Sequence, residues 1–94
     1  MTIDDLRARI DVIDEQLIAL LNTRAACAIE IGRIKRAQRI RLYQPERETA
    51  VVHHVRSVTE RLGGPLTAEA IGRLFERIID EARQLEVMGT GAEE

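Results

Sequence analysis

Six charged side chains in this 94-residue chain fall where helical spacing turns them toward apolar surfaces: Arg7, Arg24, Lys35, Arg47, Glu48 and Glu86. Four cations and two carboxylates, with no nucleophile or histidine among them, do not make an acyl-transfer or metal-hydrolysis centre. They describe a pocket for a small polyanion, in which planar guanidinium forks read carboxylates. A pocket of that kind catalyses a rearrangement that needs no bond to the enzyme, by orienting the substrate and stabilising the charge that develops on it.

Arg24 is the sharpest of the six. Apolar residues recur at steps of three and four from Ile3 through Leu6, Ile10, Ile13, Leu17, Leu20, Cys27, Ile31 and Ile34, the seam of one long amphipathic helix from Thr2 to about Arg36. Arg24 occupies the seam position between Leu20 and Cys27. An unpaired charge there costs several kcal/mol or more, so an anion is expected opposite it. A structural ion pair, or an arginine stem bent out to water, accounts for the position equally well when it is taken alone. Arg7 and Lys35 on the edge of the same stripe favour a cationic site.

The helix that carries these residues is about 50 Å long at 1.5 Å per residue, whereas a compact chain of this size has a radius of gyration of only about 13 Å. It cannot bury its stripe against its own chain, so an interlocked homodimer is expected. Thr2 is its N-cap, with Asp4 and Asp5 in the first turn. Gly32 interrupts it, either as a tolerated surface glycine or because another backbone or a ligand comes close.

The segment Gln38 to Gln44 loses the heptad and leads into Pro45, favoured at a first helical position, with Gln44 an imperfect cap. A second helix follows, with Arg47 and Glu48 in its first turn and Val51, Val55, Val58 and Leu62 on its apolar face. Gly63-Gly64-Pro65 stops it. Thr67 caps a third helix whose face reads Ile71, Leu74, Phe75, Ile78, Ile79, Ala82 and Leu85, and Glu86 ends the Phe75, Ile79, Ala82 row. The fold class is all-α, three helices of which one is long, one short and one medium. One domain spans 1–88, and residues 89–94 are expected to be a disordered acidic tail.

With 45% hydrophobic and 32% charged residues the chain reads as a water-soluble globular protein, and its net charge of -2 favours neither nucleic acid nor an anionic membrane. No apolar run is long enough to span a bilayer, and no stretch reads as a signal peptide. The basic segment Gly32 to Arg41 is better read as a solvated helix end than as a nucleic-acid patch, since the chain has one Tyr and one Phe and no reader motif. Cys27 is the single cysteine and is expected to be core, in a cytoplasmic protein. His53 and His54 are adjacent, point about 100° apart and are expected on the surface. No metal site and no cofactor is expected.

The motifs LRARIDVIDEQLIALLNTR, EIGRIK, YQPERE and LFERIIDEARQLE, in that order from residue 3 to about 88, resemble the all-helical (AroQ-type) chorismate mutases. The resemblance implies an interlocked homodimer that converts chorismate to prephenate in phenylalanine and tyrosine biosynthesis, with two sites inside helical bundles. It further implies that Arg24, Arg47 and Arg7 of the opposite chain hold the two substrate carboxylates, that Lys35 donates to the ether oxygen whose bond breaks, and that Glu48 accepts from the ring hydroxyl. Glu86 would lie on the other side of that ether oxygen and donate to it when protonated, so activity should fall as pH rises through its titration. Gln44 stands where such proteins often carry Asp, and Ala82 where a small hydroxyl residue is common. Both are expected to touch the substrate.

Two other readings remain open from the sequence. The same scaffold and dicarboxylate clamp serve an isochorismate pyruvate lyase or a mutase acting on an amino analogue of chorismate, although Lys35, the Arg47–Glu48 pair and Glu86 lean toward the ordinary mutase. A non-catalytic dimerisation or regulatory module is the third reading, and Arg24 on the seam argues against it. A complex with another shikimate-pathway enzyme is compatible with all of this.

Overall fold

A computed structural model describes the backbone of residues 1–92 and the side chains of residues 1–88. Three helices follow one another: α1 over Ile3–Ala37, α2 over Pro45–Leu62 and α3 over Ala68–Ala92. The described residues contain no strand. Of the tail expected to be disordered over 89–94, the backbone continues α3 as far as Ala92, and residues 93 and 94 lie outside the described residues.

Local chemistry accounts for the boundaries. At the start of α1, Asp5 N–H donates to Thr2 Oγ1 at 3.1 Å and Thr2 N–H donates back to the Asp5 carboxylate at 3.0 Å, a reciprocal capping box. Hydrogen bonding to Thr2, through its backbone N–H first and its side chain second, holds the Asp5 carboxyl below its ordinary range. The far end of α1 closes as a Schellman turn, in which Ile40 N–H donates to Lys35 O at 2.7 Å and Arg39 N–H to Arg36 O at 3.2 Å. Arg39 takes the left-handed position of that turn with φ 57°, a place usually given to glycine. Pro45 opens α2, and Gln44 makes no side-chain cap. Gly63 and Gly64, with φ of 73° and 117°, end it. Thr67 Oγ1 accepts from Ala70 N–H at 3.0 Å and starts α3.

Helix α3 packs against both α1 and α2, and among the described residues α1 and α2 do not pack against each other. At the α1–α3 crossing Gly32 is buried: a Cβ there would lie 3.1 Å from the carbonyl oxygen of Glu86 and 3.3 Å from its Cα. The open question about Gly32 is thereby answered in favour of a close backbone approach.

The resulting shape is flat, 54 × 28 × 15 Å, with a radius of gyration of 16.4 Å. Ile79 is the buried hydrophobic residue of the described set, while Ile3, Leu6, Ile10, Ile13, Leu17 and Leu20 along α1 stay exposed. The accessible surface is 7421 Å², against about 5,500 Å² for a compact monomer of the same mass. Cys27, expected in the core, is exposed in the single chain. His53 and His54 lie on the surface as expected. No helix among the described residues is long and apolar enough to cross a membrane.

Candidate active site

One cavity of about 420 Å³ opens between the three helices, within the range of small-molecule sites. From α1 come Arg24 and Lys35, eleven residues apart and therefore three turns along one face, with Cys27, Ala28 and Ile31 between them. The end of the α1–α2 loop brings Gln44, and the first turns of α2 bring Arg47 and Glu48. From α3 come Ala82, Arg83 and Glu86 over a floor of Ile79. Of the candidate residues, all but Arg7 meet in this cavity. Arg7 precedes Arg24 by seventeen residues, about 25 Å along the same helix, and cannot reach it within one chain.

Lys35 is held from two sides. Its Nζ donates to the Leu42 carbonyl at 2.9 Å and to Glu86 Oε1 at 3.2 Å, and both charged side chains are largely buried, at 13% and 15% exposure. The Schellman turn returns the chain so that Leu42 O reaches back to Lys35, and the glycine crossing sets Glu86 at the right height. An ammonium carries three donors, so one remains for a ligand after these two bonds.

Glu48 is gripped by Arg83. Arg83 Nε donates to Oε2 at 2.9 Å and Nη2 to Oε1 at 2.8 Å, a bidentate fork. Hydrogen bonding to Arg83 first, then its charge and that of Lys35, hold the Glu48 carboxyl below the ordinary glutamate range against the opposing effect of burial. The same bond from Glu48 raises Arg83. Arg83 also donates to Asp80 at 3.2 Å and lies over the Tyr43 ring at 5.3 Å from its centroid.

Arg83 and the Leu42 carbonyl are functional groups that the sequence reading did not single out. Leu42 left no signal, because a backbone carbonyl has none. Arg83 did leave one, since Ile79, Arg83 and Glu86 are spaced four and three apart and share a row, so a second charged residue stood on the stripe that Glu86 ends.

Arg24, Lys35, Arg47 and Arg83 against Glu48 and Glu86 leave the cavity wall with a net charge of two positives. That matches a small dianion and gives a carboxylate pair its counter-charges in a partly desolvated space. The lining presents no thiol–imidazole or hydroxyl–imidazole pair.

The sequence pattern of the family described as chorismate mutase type II matches residues 6–87. Over 86 residues, 86% of this chain, the sequence is 38% identical to a bifunctional chorismate mutase/prephenate dehydratase of Stutzerimonas stutzeri, of which the match covers 23%. A protein of the same description from Neisseria gonorrhoeae is 38% identical over 89 residues, 90% of this chain and 23% of the relative. The T-protein of Haemophilus influenzae is 32% identical over 78 residues, 83% of this chain and 20% of the relative. The chain thus spans less than a quarter of the length of these relatives.

Proposed function

Since the chain belongs to the chorismate mutase type II family, we propose that it converts chorismate to prephenate in phenylalanine and tyrosine biosynthesis, as a cytoplasmic interlocked homodimer. The observation that carries the reading is the cavity in which three arginines, a doubly anchored lysine and two glutamates converge, a lining whose net charge is opposite to that of a dicarboxylate. The prephenate dehydratase activity named for the relatives acts on the product of this reaction.

The reaction is a [3,3] rearrangement in which the ether C–O bond breaks as a C–C bond forms, so no general base is needed. Arg24, Arg47 and Arg7 of the second copy grip the two carboxylates and select the compact diaxial conformer, in which the bond-forming carbons face each other. Negative charge builds on the ether oxygen as its bond loosens. The third Lys35 proton meets that oxygen from one side, with the Glu86 side chain on the other, and the Lys35 bond strengthens in the transition state. Glu48 accepts from the ring hydroxyl, while the Gln44 amide and the Ala82 methyl complete the wall. No cofactor or metal takes part in this scheme.

The homodimer supplies what one chain lacks. The excess surface of about 2,000 Å² over a compact monomer is the size of an obligate interface, and the exposed seam of α1 is where it lies. The second copy would also deliver its Arg7 to the cavity.

The test is to give the purified protein chorismate and isochorismate separately and identify the products by NMR. Prephenate from chorismate is expected. Pyruvate from isochorismate would replace this reading by the lyase, and no turnover of either would leave a mutase of an amino analogue or a non-catalytic helical module.

A further inference from the structure

Glu48, Ile79 and Arg83 line not only the site cavity but also a second cavity of about 530 Å³ on its outer side, between α2 and α3. The Glu48–Arg83 pair is therefore the wall between the two. A carboxylate meant only to accept from a hydroxyl needs no such partner, and a bidentate arginine changes what it can do.

We propose that Arg83 is a positioning and specificity-determining residue of this site: its fork on Glu48, braced by Asp80 and Tyr43, fixes the carboxylate as an acceptor for a neutral hydroxyl and disfavours an ammonium group in the same place. The inference rests on the reading of the cavity as a chorismate site. The fork occupies one lone pair on each Glu48 oxygen at 2.8 and 2.9 Å and sets the plane of the carboxylate. A carboxylate offers about four acceptor positions, so two remain, in fixed directions, for the substrate. Arg83 is itself held: Nη1 is tied to Asp80 at 3.2 Å, and the guanidinium lies 5.3 Å from the centroid of the Tyr43 ring.

Charge supplies the selectivity. With Arg83 in place the pair is neutral overall, and a hydroxyl loses little on exchanging water for it. An ammonium meets no net negative charge there and faces both Arg83 and Lys35, the cations that act on Glu48 from α3 and α1. Without Arg83, Glu48 becomes a less ordered and uncompensated carboxylate, better suited to the ammonium and worse for the hydroxyl.

The test compares wild type, Arg83→Met and Arg83→Lys. It measures kcat and KM with chorismate and Ki for the analogue that carries an amino group in place of the ring hydroxyl. In Arg83→Met the chorismate KM rises about tenfold, the size of one hydrogen bond to a charged group, with a smaller change in kcat, and Ki for the analogue falls. Arg83→Lys keeps the charge without the fork, so it retains the discrimination against the amino analogue while its chorismate KM stays raised. An unchanged ratio of Ki to KM in Arg83→Met overturns the proposal, as does a fall in the chorismate KM, which would make Arg83 a competitor for Glu48. In parallel, ¹³C NMR titration of Glu48 in the substrate-free protein reads the pair alone: its midpoint rises in Arg83→Met. A midpoint that stays put removes the pair whatever the kinetics, whereas a moved midpoint with a wild type inactive on chorismate removes the substrate assignment and, with it, the selectivity.

Discussion

At the scale of the residue, the site is a matter of which charges face each other. Glu48 and Glu86 are both carboxylates on the cavity wall, yet Glu48 is committed to Arg83 and Glu86 to Lys35. The Glu48 carboxyl titrates below its ordinary range, so the folded protein binds fewer protons there than the unfolded chain. The stability this contributes is present above the ordinary glutamate value of about pH 4.3 and is lost as pH falls through the lowered titration. Activity should therefore show an acid limb as Glu48 protonates. A kcat/KM profile of the wild type that stays flat through that acid range would refute the acceptor role of Glu48. Arg24, the charge on the apolar seam, should be a functional liability for stability. Arg24→Leu is expected to raise the melting temperature, by the equivalent of about 1 kcal/mol, while lowering kcat/KM about 100-fold. Unchanged turnover in that variant would take Arg24 out of the site.

At the scale of the element, the site depends on one close crossing and one tight turn. Gly32→Ala places a methyl 3.1 Å from the Glu86 carbonyl, where two backbones rather than a movable side chain must give way. Overpacking costs about 1–3 kcal/mol and better helix propensity returns about 1, so a net loss of up to about 2 kcal/mol is expected. Because the shift separates Lys35 from Glu86, kcat should fall more than the melting temperature suggests, and the two measurements on one preparation decide it. Arg39 holds a left-handed conformation at φ 57° without the freedom of glycine. Arg39→Gly should stabilise the protein by about 0.5–1 kcal/mol in thermal denaturation, and a loss of stability would mean that the Arg39 side chain contributes more than its backbone strain costs.

At the scale of the whole molecule, the chain is flat, with Ile79 as the buried hydrophobic residue of the described set, and it leaves the long apolar seam of α1 exposed. If each cavity takes Arg7 from a second copy, a homodimer of Arg7→Ala and one of Arg47→Ala should both be inactive. Unfolding and refolding the two together in equal amounts makes half of the dimers mixed, and every mixed dimer has one intact site and one doubly damaged site. About a quarter of wild-type activity should return on random pairing by closed two-fold symmetry. If none returns while co-purification of the two variants, each carrying a different tag, shows that mixed dimers form, Arg7 does not act across the interface.

Periodicity and local chemistry determined most of this protein. The seam of α1, the capping residues Thr2 and Thr67, Pro45 and the Gly63-Gly64 stop are signals read over a few neighbouring residues, and the helices begin where those signals stand. The candidate charges were legible for a related reason: a charge turned toward an apolar surface is conspicuous whatever it touches, and five of the six charged candidates meet in one cavity. Pairing was decided only by the tertiary structure, because it is set by distances between helices far apart in sequence. The approach of Gly32 to Glu86 spans 54 residues, and the fork from Arg83 to Glu48 spans 35. The Leu42 carbonyl that anchors Lys35 belongs to the backbone, which is the same at every position, and only the turn at Arg39 brings it there.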